Sequence, residues 1–173
     1  MTLNEAFSLI DTAGPLLPRP GSTQQWADLG CGAGLFTEAI ARLLPGGSTV
    51  YGIDIKPGLR QQTTPNGVTL VPMTANFEKS ELDLHDLDGI LMANSLHYVK
   101  DKPALVKKLR AYMRPDAPFI IVEYDTDMPV STWVPYPLSF ASLTKLFPRV
   151  GKLGRRPSVY GRADIYAAIA FPV

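Results

Sequence analysis

The sequence predicts an α/β fold, a mostly parallel sheet with helices on both faces and a closing antiparallel pair. Three observations carry this expectation. Short apolar runs over 27–29, 49–53, 68–71, 87–92 and 119–122 alternate with stretches of helical spacing. The first run passes directly through Gly30-Cys31-Gly32-Ala33-Gly34 into a helix, the strand-turn-helix form of an α/β unit. Two final runs, near 158–160 and 165–171, are separated by Gly161-Arg162-Ala163-Asp164 and read as a hairpin.

At 173 residues the chain suits one domain over 1–173, with a short N-terminal cover segment at 1–25. A net charge of +1 gives no global reason for a polyanion partner, so nucleic acid is not expected. The single cysteine, Cys31, excludes an intrachain disulfide framework and a cysteine-rich metal site, and it points to a reducing interior. No basic stretch followed by an apolar signal core opens the chain, and no apolar stretch approaches the roughly 18–20 residues that span a bilayer. A soluble, cytoplasmic protein that uses no membrane and no metal is the expectation. Sixteen prolines and fourteen glycines are dispersed, which implies short connections rather than a linker.

In order, a helix over 4–10 carries Ala6, Phe7, Leu9 and Ile10 and should stop before Gly14-Pro15. It either packs on the sheet edge or covers a pocket. Phe36, Ala39, Ile40, Leu43 and Leu44 give the helix over 35–44 a buried face, and Pro45-Gly46-Gly47 ends it. The strand over 49–53 delivers Asp54 at its C-terminal end, where ligands collect in open α/β sheets. Pro57-Gly58 and Thr64-Pro65-Asn66-Gly67 leave room for only a helical turn or two before the third strand. Residues 78–88, with five acids against one lysine, read as a solvated surface. The fourth strand runs out at Ala93-Asn94-Ser95-Leu96-His97-Tyr98. Ala104, Leu105, Leu109 and Met113 then line one side of a helix over 102–113, which Pro115 terminates. Beyond the strand over 119–122, Met128-Pro129, Trp133 and Pro135-Tyr136-Pro137 suit a lid or pocket wall, and a helix follows over about 138–147.

The glycine turn brings backbone close to a ligand, and its spacing departs from the dinucleotide fingerprint because Leu35 stands where the third glycine would be. A carboxylate ending the second strand, Asp54, can accept both vicinal hydroxyls of a ribose; the bland alternative is a cap on the turn before Pro57. Asp28 either organises the glycine turn through hydrogen bonds or offsets a positive ligand amine, and the two roles are compatible. Cys31 has no evident base partner and reads as a small structural residue.

Asp28-Leu29-Gly30-Cys31-Gly32-Ala33-Gly34 resembles the first motif of class I S-adenosylmethionine-dependent methyltransferases, Asp54 their ribose acid, and Asn76-Phe77 their Asp-Phe pair near adenine. Asn94-Ser95-Leu96-His97-Tyr98-Val99 is similar to the segment lining the methyl-donor pocket in small-molecule members. The likeness covers about 26–125. It implies a Rossmann-like, mostly parallel seven-stranded sheet with a C-terminal antiparallel strand, and S-adenosyl-L-methionine as cofactor. The implied cofactor-binding residues are Asp28, Gly30, Cys31, Gly32, Gly34, Phe36, Asp54, Ile55, Asn76, Phe77, Asn94, Ser95 and Leu96. Two departures stand out. Asn76 replaces the commoner aspartate, and the region after Asp54 is short.

The resemblance implies direct methyl transfer to a small-molecule acceptor, with His97 as candidate general base or, more plainly, a pocket-packing residue. Tyr98, Glu123, Trp133, Tyr136 and Tyr160 are candidates for the acceptor site. No Asn/Asp-Pro-Pro-aromatic sequence follows the fourth strand, which disfavours methylation of nucleic-acid bases. The basic run of Lys145, Arg149, Lys152, Arg155, Arg156 and Arg162 fits a solvated face better than a phosphate site. Two other classes share these features: a nicotinamide-dependent oxidoreductase, opposed by Leu35, and a non-catalytic S-adenosylmethionine-binding module.

Overall fold

The computed structural model describes residues 1–158, 161 and 163–172. The chain forms α1 (Leu3–Ile10), β1 (Gln25–Leu29), α2 (Leu35–Ala41), β2 (Thr49–Asp54), β3 (Gln62–Thr63), β4 (Thr69–Thr74), β5 (Gly89–Ala93), α3 (Lys102–Arg110), β6 (Phe119–Tyr124), α4 (Phe140–Leu146), β7 (Arg149–Pro157) and β8 (Asp164–Phe171). Among the described residues, three of the four α-helices begin where a side chain accepts from a free N–H of the first turn. Thr2 and Glu5 form a capping box at α1, Asp101 accepts from Ala104 N–H at α3, and Ser139 accepts from Ser142 N–H at α4. Only α2 lacks a side-chain cap, because Gly34 precedes it.

The strands are ordered β3-β4-β2-β1-β5-β6-β8-β7. From β4 to β6 neighbours run parallel, while β3, β8 and β7 are antiparallel to their neighbours. The sheet therefore has eight strands where the resemblance implied seven, the addition being two-residue β3. After β4 the chain crosses to the other side of β1, so winding reverses between β1 and β5. The crevice beyond the C-terminal ends of these two strands is the place such sheets reserve for a ligand.

Alternating strand residues feed two apolar clusters. Trp26, Leu91, Ile120 and Val122 pack with α1 and α2 on one face. Leu29, Ile90, Phe119, Ile121 and Tyr166 pack with α3 and α4 on the other. Gly89 is dictated by close approach, since a Cβ there would collide with the indole of fully buried Trp26.

Several expectations are corrected. Pro15 does not stop the N-terminal segment, which winds on as a 3₁₀ turn over Asp11–Leu16. Residues 78–88 are not simply solvated. Leu82, Leu84 and Leu87 are buried, and Asp88, 2% exposed, accepts Gln25 N–H at 2.9 Å and pairs with Arg114 at 3.3 Å and Arg19 at 3.4 Å. The first hairpin strand was expected near 158–160, of which 159 and 160 lie outside the described residues. Instead β7 starts at Arg149, and as an edge strand it carries Arg149, Lys152, Arg155 and Arg156 of the basic run, Lys145 being on α4. Those cations are occupied within the chain: Arg149 lies over Phe171, Lys152 over Phe140, Arg155 pairs with Asp125 and Asp164, and Arg156 with Glu5. Arg162 is outside the described residues. Segment α1 packs on α2 and β7, the sheet-packing option. Among the described residues no helix is long and apolar enough to cross a membrane.

Candidate active site

The end of β1 and the end of β2 are locked together by main chain. Gly30 and Cys31 N–H both donate to Ile53 O, at 2.7 and 3.1 Å. Asp54 then fixes the turn from outside, its Oδ2 accepting Gly32 N–H and its Oδ1 accepting Lys56 N–H, each at 3.0 Å. Gly30, Gly32 and Gly34 have φ of +79°, +52° and +89°, a region that disfavours other residues. Space tightens the requirement: a Cβ on Gly30 would lie 2.5 Å from Ser95 Cβ, and one on Gly34 would lie 2.6 Å from Leu59 Cδ1. At Gly32, by contrast, a Cβ would meet nothing within 4 Å, so this peptide faces open space.

Asp28 lies beneath the turn and is 1% exposed. Thr37 Oγ1 donates to its Oδ2 at 2.6 Å, while Oδ1 is buried with no partner among the described residues. Burial pushes the carboxyl up to about 7, the Thr37 bond opposes this, and the Asp54 charge adds to it. Burial likewise pushes the Cys31 thiol up to about 12, which removes it as a nucleophile at neutral pH. A second orphan oxygen, Asn94 Oδ1, lies at the end of neighbouring β5, where Asn94 turns the chain with φ +53°. Buried acceptors left in this way cost stability unless a donor reaches them. Two such oxygens beside an open glycine turn fit a ligand carrying an ammonium and other N–H or O–H groups.

The remaining cofactor candidates are distributed around this crevice. Ser95 Oγ donates to Leu29 O at 2.6 Å, tying the segment after β5 to the glycine turn. Ala75 N–H donates to Asp54 O at 3.0 Å, bringing Asn76 beside Asp54. Asn76 Oδ1 is engaged by the N–H groups of Glu78 and Lys79, both at 3.1 Å, so its amide N–H₂ is the side left to a ligand. Phe77 Cε1 lies 3.7 Å from the Gly30 Cβ position, and Ile55, 71% exposed, presents an apolar side chain next to Asp54. Phe36 and Leu96 are instead buried in the two apolar clusters and support the crevice from beneath.

Alongside lies a cavity of about 750 Å³. Asn94, His97 and Tyr98 line it on one side, Tyr124 ends β6 and Thr126 follows it, and Met128, Pro129, Val130, Trp133 and Val134 come from the loop before α4. His97 is 2% exposed, and Glu123, 1% exposed, holds it twice. His97 N–H donates to Glu123 Oε1 at 3.1 Å, and Nδ1 donates to Oε2 at 2.6 Å. A carboxylate can only accept, so this contact favours the tautomer with hydrogen on Nδ1, and His97 is one of the residues that line the cavity. The Tyr98 and Tyr124 rings flank the imidazole at centroid distances of 4.3 and 6.3 Å.

Trp133 and Tyr98 thus line the cavity as the sequence suggested. Glu123 stands behind His97 rather than on the wall. Tyr136 is held at the lid stem, its N–H donating to His97 O at 2.9 Å. Tyr160 is outside the described residues.

Sequence reasoning missed the residues that brace these groups: Thr37 on Asp28, Leu59 against the glycine turn, Tyr124 beside His97, and the lid anchors. Lys102, 8% exposed, donates from Nζ to Val99 O at 2.9 Å and Tyr136 O at 2.7 Å, and burial lowers its pKa. Asp127 accepts from Ser139 N–H at 2.9 Å, from Ser139 Oγ at 2.7 Å and from Ser142 Oγ at 3.0 Å, bonds that hold its carboxyl below the usual range. Asp125 Oδ1 accepts Phe140 N–H at 2.9 Å. The only sequence signal was position, since Tyr124, Asp125 and Asp127 lie at or just beyond a strand end.

A family model described as a methyltransferase domain matches residues 27–119, more than half of the chain. No curated protein matches the sequence. Among solved structures, the chain is similar to Burkholderia thailandensis 1,6-didemethyltoxoflavin-N1-methyltransferase with bound 1,6-didemethyltoxoflavin and S-adenosylhomocysteine, at TM-score 0.68 and 16% identity over 99% of this chain and 78% of that one. It is also similar to the plantazolicin methyltransferase BpumL in complex with S-adenosylhomocysteine, at TM-score 0.64 and 14% identity over 99% and 85% of the two chains. The CurJ carbon methyltransferase matches at TM-score 0.68 and 17% identity over 99% of this chain and 54% of that one. These likenesses share the fold, and the domain model settles the family: the chain belongs to the methyltransferase-domain family, of the class I, S-adenosylmethionine-dependent type.

Proposed function

We propose that the chain binds S-adenosylmethionine across the β1–β5 crevice and methylates a small-molecule acceptor in the adjoining cavity. The observation that carries this is the pairing of an Asp54-locked glycine turn with the orphan Oδ1 of buried Asp28. Asp54 has lone pairs left for two ribose hydroxyls after accepting Gly32 and Lys56 N–H. Asp28 would face the ligand ammonium, Phe77 and Ile55 the adenine, and the Asn76 N–H₂ a ring nitrogen. When bound, the cofactor supplies a methyl group on a sulfonium, which needs only an acceptor lone pair aligned with it. The chain's own contribution is to orient the acceptor, exclude water beneath the lid and take the acceptor proton at His97 Nε2. Glu123 serves as a positioning residue for that imidazole. The single cysteine suits a cytoplasmic setting.

Isothermal titration with S-adenosylhomocysteine is the test. Saturable one-site binding is expected for the native chain. Gly32→Val should abolish it by setting a branched side chain in the open space over the turn, and Asp54→Ala should weaken it by ten-fold or more. Unchanged affinity in both variants, or no binding by folded native chain, overturns the reading. Titration with a nicotinamide dinucleotide, expected to be silent, separates the oxidoreductase alternative.

A further inference from the structure

The cavity is built for one kind of acceptor. Its volume of about 750 Å³ is within the range of small-ligand sites, roughly 300–1,000 Å³. Three aromatic rings, Tyr98, Tyr124 and Trp133, contribute to its wall, and Trp133 is held out at the lid tip 73% exposed. Rings in that position offer flat, apolar contact of the kind that stacks against another ring. Among the described lining residues there is no lysine, arginine, aspartate or glutamate. Behind His97, the Glu123 carboxylate lies 2.6 Å from Nδ1, and its charge disfavours an anionic guest.

The His97–Glu123 pair narrows the choice of reacting atom. A neutral amine already presents a lone pair and needs no base before it attacks. A hydroxyl on an aromatic ring, with a pKa of about 10 like that of tyrosine, attacks far better as its proton leaves. An imidazole whose tautomer is fixed by a buried carboxylate is the device for that acceptor.

From this juxtaposition of aromatic lining residues with a carboxylate-oriented histidine, we infer that the acceptor is an uncharged, flat aromatic or heteroaromatic compound bearing a ring hydroxyl. The inference rests on the methyl-transfer reading above and adds the substrate class to it. The hydroxyl O–H bond breaks and its proton passes to the His97 imidazole, while the electron pair left on oxygen would form the O–CH3 bond as the donor's S–CH3 bond breaks, that bond's electron pair staying on the sulfur of the departing S-adenosylhomocysteine. Glu123, 2.6 Å from Nδ1, faces the proton that His97 gains.

Titration of the full chain, first with S-adenosylhomocysteine and then, in its saturating presence, with matched probes, tests this. The probes are 2-naphthol, the anionic 2-naphthoate and the non-planar decahydro-2-naphthol. Binding of 2-naphthol at least ten-fold tighter than either of the others is expected. Trp133→Ala should weaken 2-naphthol by five-fold or more and leave S-adenosylhomocysteine unaffected. Glu123→Gln should leave 2-naphthol binding within about three-fold while lowering kcat for its methylation by at least ten-fold. The acceptor class is overturned if the homocysteine ligand binds but 2-naphthol does not, if 2-naphthoate or the saturated ring binds as well, or if Trp133→Ala changes nothing. Failure to bind S-adenosylhomocysteine at all strikes instead at the proposed function.

Discussion

Replacing Asp28 by Asn separates what this residue does for the ligand from what it does to the fold. Its carboxyl is buried, with one oxygen on Thr37 and the other orphaned, and burial first of all raises it to about 7. The ordinary value in an unfolded chain is about 3.9, and each unit of pKa is worth about 1.36 kcal/mol. The ionised form is therefore about 4 kcal/mol less favourable in the ligand-free folded chain than in the unfolded one.

The sign follows from which state holds the proton. The folded state keeps it to higher pH, so the stability contribution is complete below about 3.9 and is lost as pH rises through about 7. Between pH 5 and pH 8 the native chain should lose about 3 kcal/mol on this account, and Asp28→Asn should lose none of it. The amide oxygen can keep the Thr37 bond. Its N–H₂ replaces the orphan oxygen at a cost of about 1–3 kcal/mol, which leaves a net gain of about 1–3 kcal/mol at pH 8. Urea denaturation of both proteins at the two pH values, followed by Trp26 fluorescence, measures this. The same variant should bind S-adenosylhomocysteine roughly ten- to hundred-fold more weakly, because a charged hydrogen bond to its ammonium is worth about 1.5–3 kcal/mol. Parallel pH profiles for the two proteins, or an Asn variant with full affinity, would refute the reasoning.

Two further perturbations address the frame. Gly89→Ala drives a methyl group into the Trp26 indole and should cost about 1–3 kcal/mol in urea denaturation; a change below 0.5 kcal/mol would mean the packing is wrong. Lys102→Met exchanges two carbonyl bonds for apolar contact, one to Val99 O just before α3 and one to Tyr136 O that ties α3 to the loop before α4. Global stability should move by less than about 1 kcal/mol, because relieving a buried charge offsets the lost bonds. Limited proteolysis near 128–136 should quicken several-fold, and an unchanged cleavage rate would remove Lys102 as the lid anchor.

The sheet and the crevice where its winding reverses were legible because main-chain geometry fixes them. Asp28 and Asp54 end adjacent parallel strands, and a glycine turn between strand and helix has few conformations. The shortened segment after Asp54 was legible as a departure, but Leu59 filling the space against Gly34 and Gly52 was not, since nothing local announces a tertiary plug. Glu123 was visible at a strand end, yet alternation along β6 places Phe119, Ile121 and Glu123 on one face and Tyr124 on the other. Its pairing with His97 depends on where the segment after β5 turns. Lys102 looked like any lysine on an amphipathic helix, and its burial is decided by a lid 34 residues further along. Strand β7 was misplaced because a Gly- and Arg-rich edge strand lacks the apolar, β-branched signature of a central one.

In the proposed function, one crevice holds the methyl donor with its sulfur toward His97. A structure of the chain with S-adenosylhomocysteine tests it most directly. Ribose hydroxyls on Asp54, the ammonium within hydrogen-bond reach of Asp28, and the sulfur opening into the cavity between His97 and Trp133 are the expected result. A ligand lying elsewhere, or one whose sulfur is walled off from that cavity, would contradict it.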